Sequence, residues 1–324
     1  MRILSVMTSV SLGMLLVACG GSGSETNNNT NLNSSIPVVK STQDVAISFA
    51  AQANGADVKC GAVNEVANLG TSNKTAQIQD LRFYISNLKL INSKGEAVAV
   101  SLTANDYQDF GVALLDFEDA TGACSAGTAD TYTAITGTVP SDTYTGIEFS
   151  LGVPDTGTDA IGKSIALNHS AITKITKPLD IAAMDWGWQL GRKFAKIELQ
   201  PTSGVINQKG TPDTTDDAVV SSWVVHIGST NCTGTDATGY SCTNANLANI
   251  TLNNFEMSKQ TVVFDLAALL ANSDIGINQN GAVGCMSGAT DKECPALFEA
   301  FGLDLATGNG SATKTQTVFK VMNK

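Results

Sequence analysis

Leu81-Arg82-Phe83-Tyr84-Ile85-Ser86-Asn87-Leu88-Lys89-Leu90 alternates apolar with polar side chains, the period-two pattern of a strand that buries one face. The same alternation recurs on both sides of it. Upstream stands Val45-Ala46-Ile47-Ser48-Phe49; downstream follow Tyr144 to Leu151, Phe194 to Leu199, Ser222 to Ile227, Ile250 to Leu252 and Gln260 to Leu266. Gly, Asn, Asp or Pro turns separate these runs, so the spacing predicts an all-β body of sandwich-like antiparallel sheets. Short helices are expected only over 265–272 and 295–301, the second clamped by Cys294. From Val38 to the end there are roughly 285 residues and no long interior linker, which suits one large β domain or two closely joined ones.

The other end of the chain reads differently. Arg2 is the only charge in the first eighteen residues, an apolar run from Ile3 to Val17 follows, and Leu16-Val17-Ala18-Cys19 closes it. The run is too short for a spanning helix and has the form of an export signal over 1–18. Its ending resembles the lipobox of bacterial lipoproteins, in which the cysteine becomes the acylated first residue of the mature protein. Cys19 is therefore expected to carry lipid, with 19–37, rich in Gly, Ser and Asn, as a flexible tether to a body over 38–324. The expected location is the bacterial cell envelope, at the periplasmic face or the outer surface of the outer membrane, with lipid as the sole anchor. Losing Arg2 takes the formal charge from −11 to −12. So acidic a surface disfavours nucleic acid as a partner.

Seven cysteines leave six once Cys19 is lipidated: Cys60, Cys124, Cys232, Cys242, Cys285 and Cys294. An even number in an oxidising compartment points to disulfide-stapled loops. Six cysteines allow fifteen pairings, of which nearest neighbours in sequence is the simplest. No CxxC, haem-attachment or zinc-type spacing is present.

Chemistry-bearing residues are few. The chain has two histidines, His169 and His226, and imidazole is the commonest metal ligand. His226 ends a predicted strand just before Cys232, a rigid mount for a ligand, although alternation with Val224 is equally compatible with a core histidine. His169 follows Gly152-Val153-Pro154 in a loop, where it is either a ligand or an exposed imidazole. Trp186 and Trp188 flank Gly187 and on an extended segment face the same way, either as a buried anchor or as part of a site. The acidic Pro212-Asp213-Thr214-Thr215-Asp216-Asp217 could in principle offer oxygen ligands to calcium, but it lacks the spacing of a known loop and reads better as a solvated turn. Asp116, Glu118 and Asp119 form a carboxylate group with nothing to place them around a substrate. HExxH, GxSxG, Walker and GxGxxG motifs are absent. These residues favour a binding protein over an enzyme.

Taken in order, several segments resemble the MbnP-like family, the exported four-cysteine half of the "metallo-mystery pair", whose gene neighbour encodes a di-haem protein of the cytochrome c peroxidase type. They are Phe49 with Cys60-Gly61; Asp80 to Leu88; Ala113 to Glu118 before Cys124; Tyr144 to Phe149 with Gly152-Val153-Pro154; Leu167-Asn168-His169; Met184 to Gln189 with Gly191, Lys193 and Phe194; and His226 to Cys232 with Cys242 and Asn246. Arg192 departs from this pattern where the family carries an aromatic residue, and Asp185 where it carries a bulky apolar one. The resemblance implies copper, bound through histidine together with a tryptophan that the di-haem partner oxidises to kynurenine. Carried over residue by residue, it assigns His226 and His169 as metal ligands and Trp186 or Trp188 as the kynurenine-forming donor. The function it implies is copper uptake, storage or sequestration by a non-catalytic protein that is itself the partner's substrate. The alternative is a surface β-sandwich that binds glycan or a protein, with both histidines structural.

Overall fold

Ten principal strands build the protein: Thr42–Ala53 (β1), Lys74–Asn92 (β2), Val112–Asp116 (β3), Ala134–Pro140 (β4), Tyr144–Leu151 (β5), Gly191–Pro201 (β6), Trp223–Gly228 (β7), Ala248–Asn253 (β8), Gln260–Asp265 (β9) and Phe319–Asn323 (β10). The computed structural model describes residues 41–61, 65–159, 161–168, 177–186, 191–235 and 239–324. The leader, Cys19 and the tether, as well as His169 and Trp188, lie outside them. Every run expected to be a strand falls on one of the ten.

The strands form two facing sheets. One has the order β10-β9-β1-β4 and ends on Ser101–Leu102; the other runs β8-β5-β2-β6-β7 and ends on Gly284–Cys285, with β3 also on β2. Aromatic rings interlock between them: Phe83 of β2 lies 5.1 Å from Phe264 of β9, and Phe149 of β5 lies 5.2 Å from Phe319 of β10. This is the sandwich core that the alternation demands, with one apolar row contributed by each inner face. Pairing is mainly antiparallel. Within these two sheets the exceptions are β1 with β9 and β7 with Gly284–Cys285, which run parallel because strands far apart in sequence need no hairpin.

The 19-residue β2 organises the second sheet. Phe83 pairs with both Ala195 of β6 and Leu115 of β3, and Ile85 with both Leu151 of β5 and Ala113 of β3. One edge of β2 is thus shared by β6 and then β5, and the other takes β3. A strand so long cannot keep one phase. Its core side chains are Ala76 and Ile78, then Leu81, Phe83 and Ile85, then Leu88 and Leu90. The phase slips twice, where the register shifts against β6 and against β5, and the second slip contains Asn87 at φ 52°. Asn tolerates this left-handed conformation better than a branched residue, which is how a bulge fits here.

Between the slips, Asp80, Arg82, Tyr84 and Ser86 point away from the sandwich core yet are buried. A second apolar cluster covers part of that outer face: Tyr84, Val112, Leu114, Val153, Leu167, Leu179, Met184 and Phe194. Val153, Leu167, Leu179 and Met184 therefore cover the back of the sheet beside Tyr84 and Phe194.

Both short helices form. Leu266–Leu270 (α1) is capped by the Asp265 carboxylate, which accepts from Ala268 N at 3.0 Å, and Cys294–Ala300 (α2) starts with Pro295 in its first turn. The disulfides join Cys60 to Cys124, Cys232 to Cys242 and Cys285 to Cys294, nearest neighbours in each case. No helix among the described residues is long and apolar enough to cross a membrane.

Candidate metal centre

On β7, Trp223, Val225 and Ile227 face the sandwich core, which turns His226 and Gly228 to the outer face. His226 is 7% exposed. Its Nε2 meets Glu198 Oε1 of β6 at 2.7 Å, and among the described residues Nδ1 has no hydrogen-bond partner. With Nε2–H donated to the carboxylate, the Nδ1 lone pair is free to bind a metal. This is the arrangement of ligating histidines, which almost always donate their other ring nitrogen to a carboxylate or carbonyl. Ser287 holds the backbone beneath: its Oγ donates to His226 O at 3.0 Å and accepts from Gly228 N at 3.1 Å.

Glu198 is the end of a row of alternating charges across the outer face. Lys196 bridges Glu198, at 3.1 Å, and Asp80 of β2. Asp80 in turn accepts from Arg82 Nε at 2.8 Å, and Arg82 Nη1 lies 3.6 Å from Glu118 Oε1 beyond β3. Asp116 is the register partner of Arg82. Strand pairing brings these residues side by side, since Lys196 stands opposite both Arg82 and His226. Each buried charge has an opposite neighbour, without which its desolvation would be costly.

The electrostatics suit a neutral ligand held by a charged anchor. Burial lowers the His226 imidazole below its ordinary 6.5, outweighing the Glu198 hydrogen bond and charge that raise it, so the ring is neutral at neutral pH. Burial would raise the Glu198 carboxyl, but the His226 hydrogen bond and the Lys196 ammonium prevail and bring it down to about 2. Burial likewise pushes Lys193 below its usual range. At the far end, burial outweighs Arg82 and holds Asp116 up to about 7.

Trp186 packs against Gly228 of β7. It is 3% exposed and extends the sheet edge by pairing with Gly191. A Cβ placed on Gly228 would run into the Arg192 carbonyl oxygen and lie 2.5 Å from Cε3 and Cζ3 of the Trp186 ring, so the β6 backbone and the indole together fill the space where a side chain at 228 would stand. That is one pleat repeat, about 7 Å, along β7 from His226. Asn168, the last described residue before His169, is pinned at the same place: its Nδ2 donates to Ser229 Oγ at 2.6 Å and its Oδ1 accepts from Arg192 N at 2.9 Å. The described residues bordering His169 and Trp188 thus converge on 228–229, next to the Cys232–Cys242 disulfide, whose Cys232 Sγ lies within reach of Ser229 Oγ. The two departures from the family pattern face each other in register, Asp185 opposite Arg192. Arg192 is fully buried; its Nε donates to Leu167 O at 3.1 Å and, among the described residues, its two terminal nitrogens have no hydrogen-bond partner.

A family model described as MbnP matches residues 42–287. The chain belongs to the MbnP family. A solved structure, MbnP from Methylosinus trichosporium, shares 35% sequence identity and superposes with a TM-score of 0.76 over 87% of this chain and 99% of that one. No curated protein matches the chain. The MbnP family match contains β7, Glu198, all three tryptophans and both histidines.

Other candidates from the sequence fare differently. Asp213 accepts from Thr215 N at 2.9 Å, Asp216 from Thr211 Oγ1 at 3.1 Å and Asp217 from Lys209 N at 2.9 Å, so the acidic stretch spends its carboxylates within its own turn. Asp116 and Glu118 belong to the charge row, while Asp119 caps the exposed turn at Thr121. Among the described residues, Cys285, Asp291 and Cys294 have metal-ligand spacing, but the two sulfurs are bonded to each other and the Asp291 carboxylate accepts from Met286 N and Glu293 N. This cluster is a staple and offers no thiolate.

Sequence reasoning missed Glu198 and Lys196. Their signal was present in the polar positions of Phe194-Ala195-Lys196-Ile197-Glu198-Leu199, where a charge pair occupies the face opposite the apolar one. What it lacked was the register that sets Lys196 against His226.

Proposed function

We propose that this MbnP-family protein binds copper outside the cytoplasm through His226 Nδ1. The observation that supports this most is the anchored, neutral imidazole: Nε2 tied to Glu198, Nδ1 unpartnered among the described residues, and Trp186 one pleat away. Imidazole suits copper, and a disulfide-containing exported protein meets copper in the compartment where its ligands are formed. Trp186 or Trp188 supplies the second donor after oxidation to kynurenine by a di-haem partner. Indole offers a metal no good lone pair, whereas kynurenine carries an aromatic amine and a carbonyl. His169 is the further ligand, the chain leading to it being held at Asn168 beside Ser229.

In this reading the protein is cargo-binding rather than catalytic, lipid-anchored through Cys19 in the cell envelope, and serves copper uptake, storage or sequestration. The test is copper affinity of the parent, His226→Ala and His169→Ala, in protein co-produced with a di-haem partner. Loss of high-affinity copper in His226→Ala, with one tryptophan gaining oxygen and losing carbon by peptide mass, is the expected result. Unchanged affinity in both histidine variants would overturn the site.

A further inference from the structure

Two lysines of β6 bear on the imidazole of His226. Lys196 is its register partner, and Lys193 is paired with Gly228 two residues further along β7. Both are half-buried. Glu198 Oε1, which meets His226 Nε2 at 2.7 Å, also accepts Lys196 Nζ at 3.1 Å. The carboxylate that anchors the ring is thus already met by an ammonium, and Asp80 lies on the far side of that same ammonium. Lys193 Nζ donates to the backbone oxygen of Ala183 at 3.0 Å and makes no ion pair among the described residues. The charged neighbours that act on the His226 ring are Glu198, Lys193 and Lys196, two cations against one anion.

That balance is unusual for a place that receives a cation. A positive surround opposes an incoming ion in proportion to its charge, so a divalent ion loses about twice what a monovalent one loses. The donors of the centre, imidazole and the amine or carbonyl of kynurenine, are neutral and return none of that loss. Imidazole by itself takes zinc and copper alike, so discrimination between them has to come from the surroundings of the ligand. At the effective dielectric of a partly buried site, a unit charge about 8 Å away alters the relative binding of monovalent and divalent ions by about tenfold or more. We propose that Lys193 and Lys196 are specificity-determining residues that make the centre selective for monovalent copper over divalent ions. This rests on the reading of His226 as a copper ligand. Neither lysine needs to touch the metal; each acts through its charge, Lys196 through Glu198 as well.

The test compares Lys193→Met, Lys196→Met and the charge-preserving Lys193→Arg and Lys196→Arg with the parent, all co-produced with a di-haem partner. Kd is measured for Cu(I) under ascorbate by competition with bicinchoninate, and for Cu(II) and Zn(II) by competition with nitrilotriacetate. Zinc has no redox chemistry and so reads charge alone. The parent should bind Cu(I) more tightly than either divalent ion. Each methionine variant should lose about tenfold of that preference, which for copper is a fall of about 59 mV in the one-electron potential, while the arginine variants keep it. Lys196→Met strands Glu198 and Asp80 without their shared ammonium; should it fail to fold, Lys193→Met, which breaks no ion pair among the described residues, decides the matter. A parent that holds no copper overturns the copper reading and this inference with it. A parent that holds copper but prefers a divalent ion, or a parental preference in the folded methionine variants, overturns this inference alone.

Discussion

A single methyl group decides the geometry beside His226. Gly228→Ala would drive a carbon into the backbone oxygen of Arg192 and to within 2.5 Å of the Trp186 ring. Overpacking of this kind costs about 1–3 kcal/mol, so the variant should unfold at lower denaturant and lose near-ultraviolet tryptophan ellipticity as the indole is pushed out. Glu198 carries the complementary prediction. Removing a carboxylate that orients a ligating histidine typically weakens metal binding by about 10- to 100-fold, so Glu198→Ala should show that loss with His226 intact. Parent-like copper affinity in Glu198→Ala would mean that the imidazole is oriented by something else. At this scale the sequence made His226 and the tryptophans conspicuous through rarity. Glu198 was one of many carboxylates until cross-strand pairing singled it out.

The element that matters most is β2, whose two slips turn Asp80, Arg82 and Tyr84 outward while keeping Leu81, Phe83 and Ile85 in the core. Asn87 makes the second slip possible at φ 52°. Asn87→Val should cost about 1–2 kcal/mol in equilibrium unfolding, and Asn87→Gly much less, because a Cβ is the source of the strain. The charge row that β2 organises has its own signature in pH. Burial, opposed by Arg82, holds Asp116 protonated up to about 7 in the folded protein, against an ordinary value of 3.8. Between those two values the folded chain keeps a proton that the unfolded chain has released. This group's contribution therefore falls as pH rises through that window, by at most about 1.4 kcal/mol per pH unit. Denaturation of Asp116→Asn across the same range should lack that decline; a parallel slope in both proteins would refute it.

For the whole molecule the staples and the sandwich act together. The Cys60–Cys124 bridge spans 64 residues and the Cys285–Cys294 bridge nine. In the chain-entropy account the longer loop is worth about 4 kcal/mol and the shorter about 3. Replacing Cys60 and Cys124 by alanine should therefore destabilise more than replacing Cys285 and Cys294, as read from denaturation midpoints.

The amino-acid sequence by itself determined the fold class, because period-two alternation is a local property of each strand and the turn residues between strands mark where it stops. It also determined the two short helices and which residues could carry metal chemistry, since capping patterns and residue types are read without knowing any partner. Only the tertiary structure decided which carboxylate meets His226, why residue 228 is glycine, and how Asp80, Arg82 and Lys196 join in one row. Those contacts depend on strand register and on a segment folding across the back of a sheet. A shift of one residue would reverse every side chain, and no single strand carries the information that prevents it.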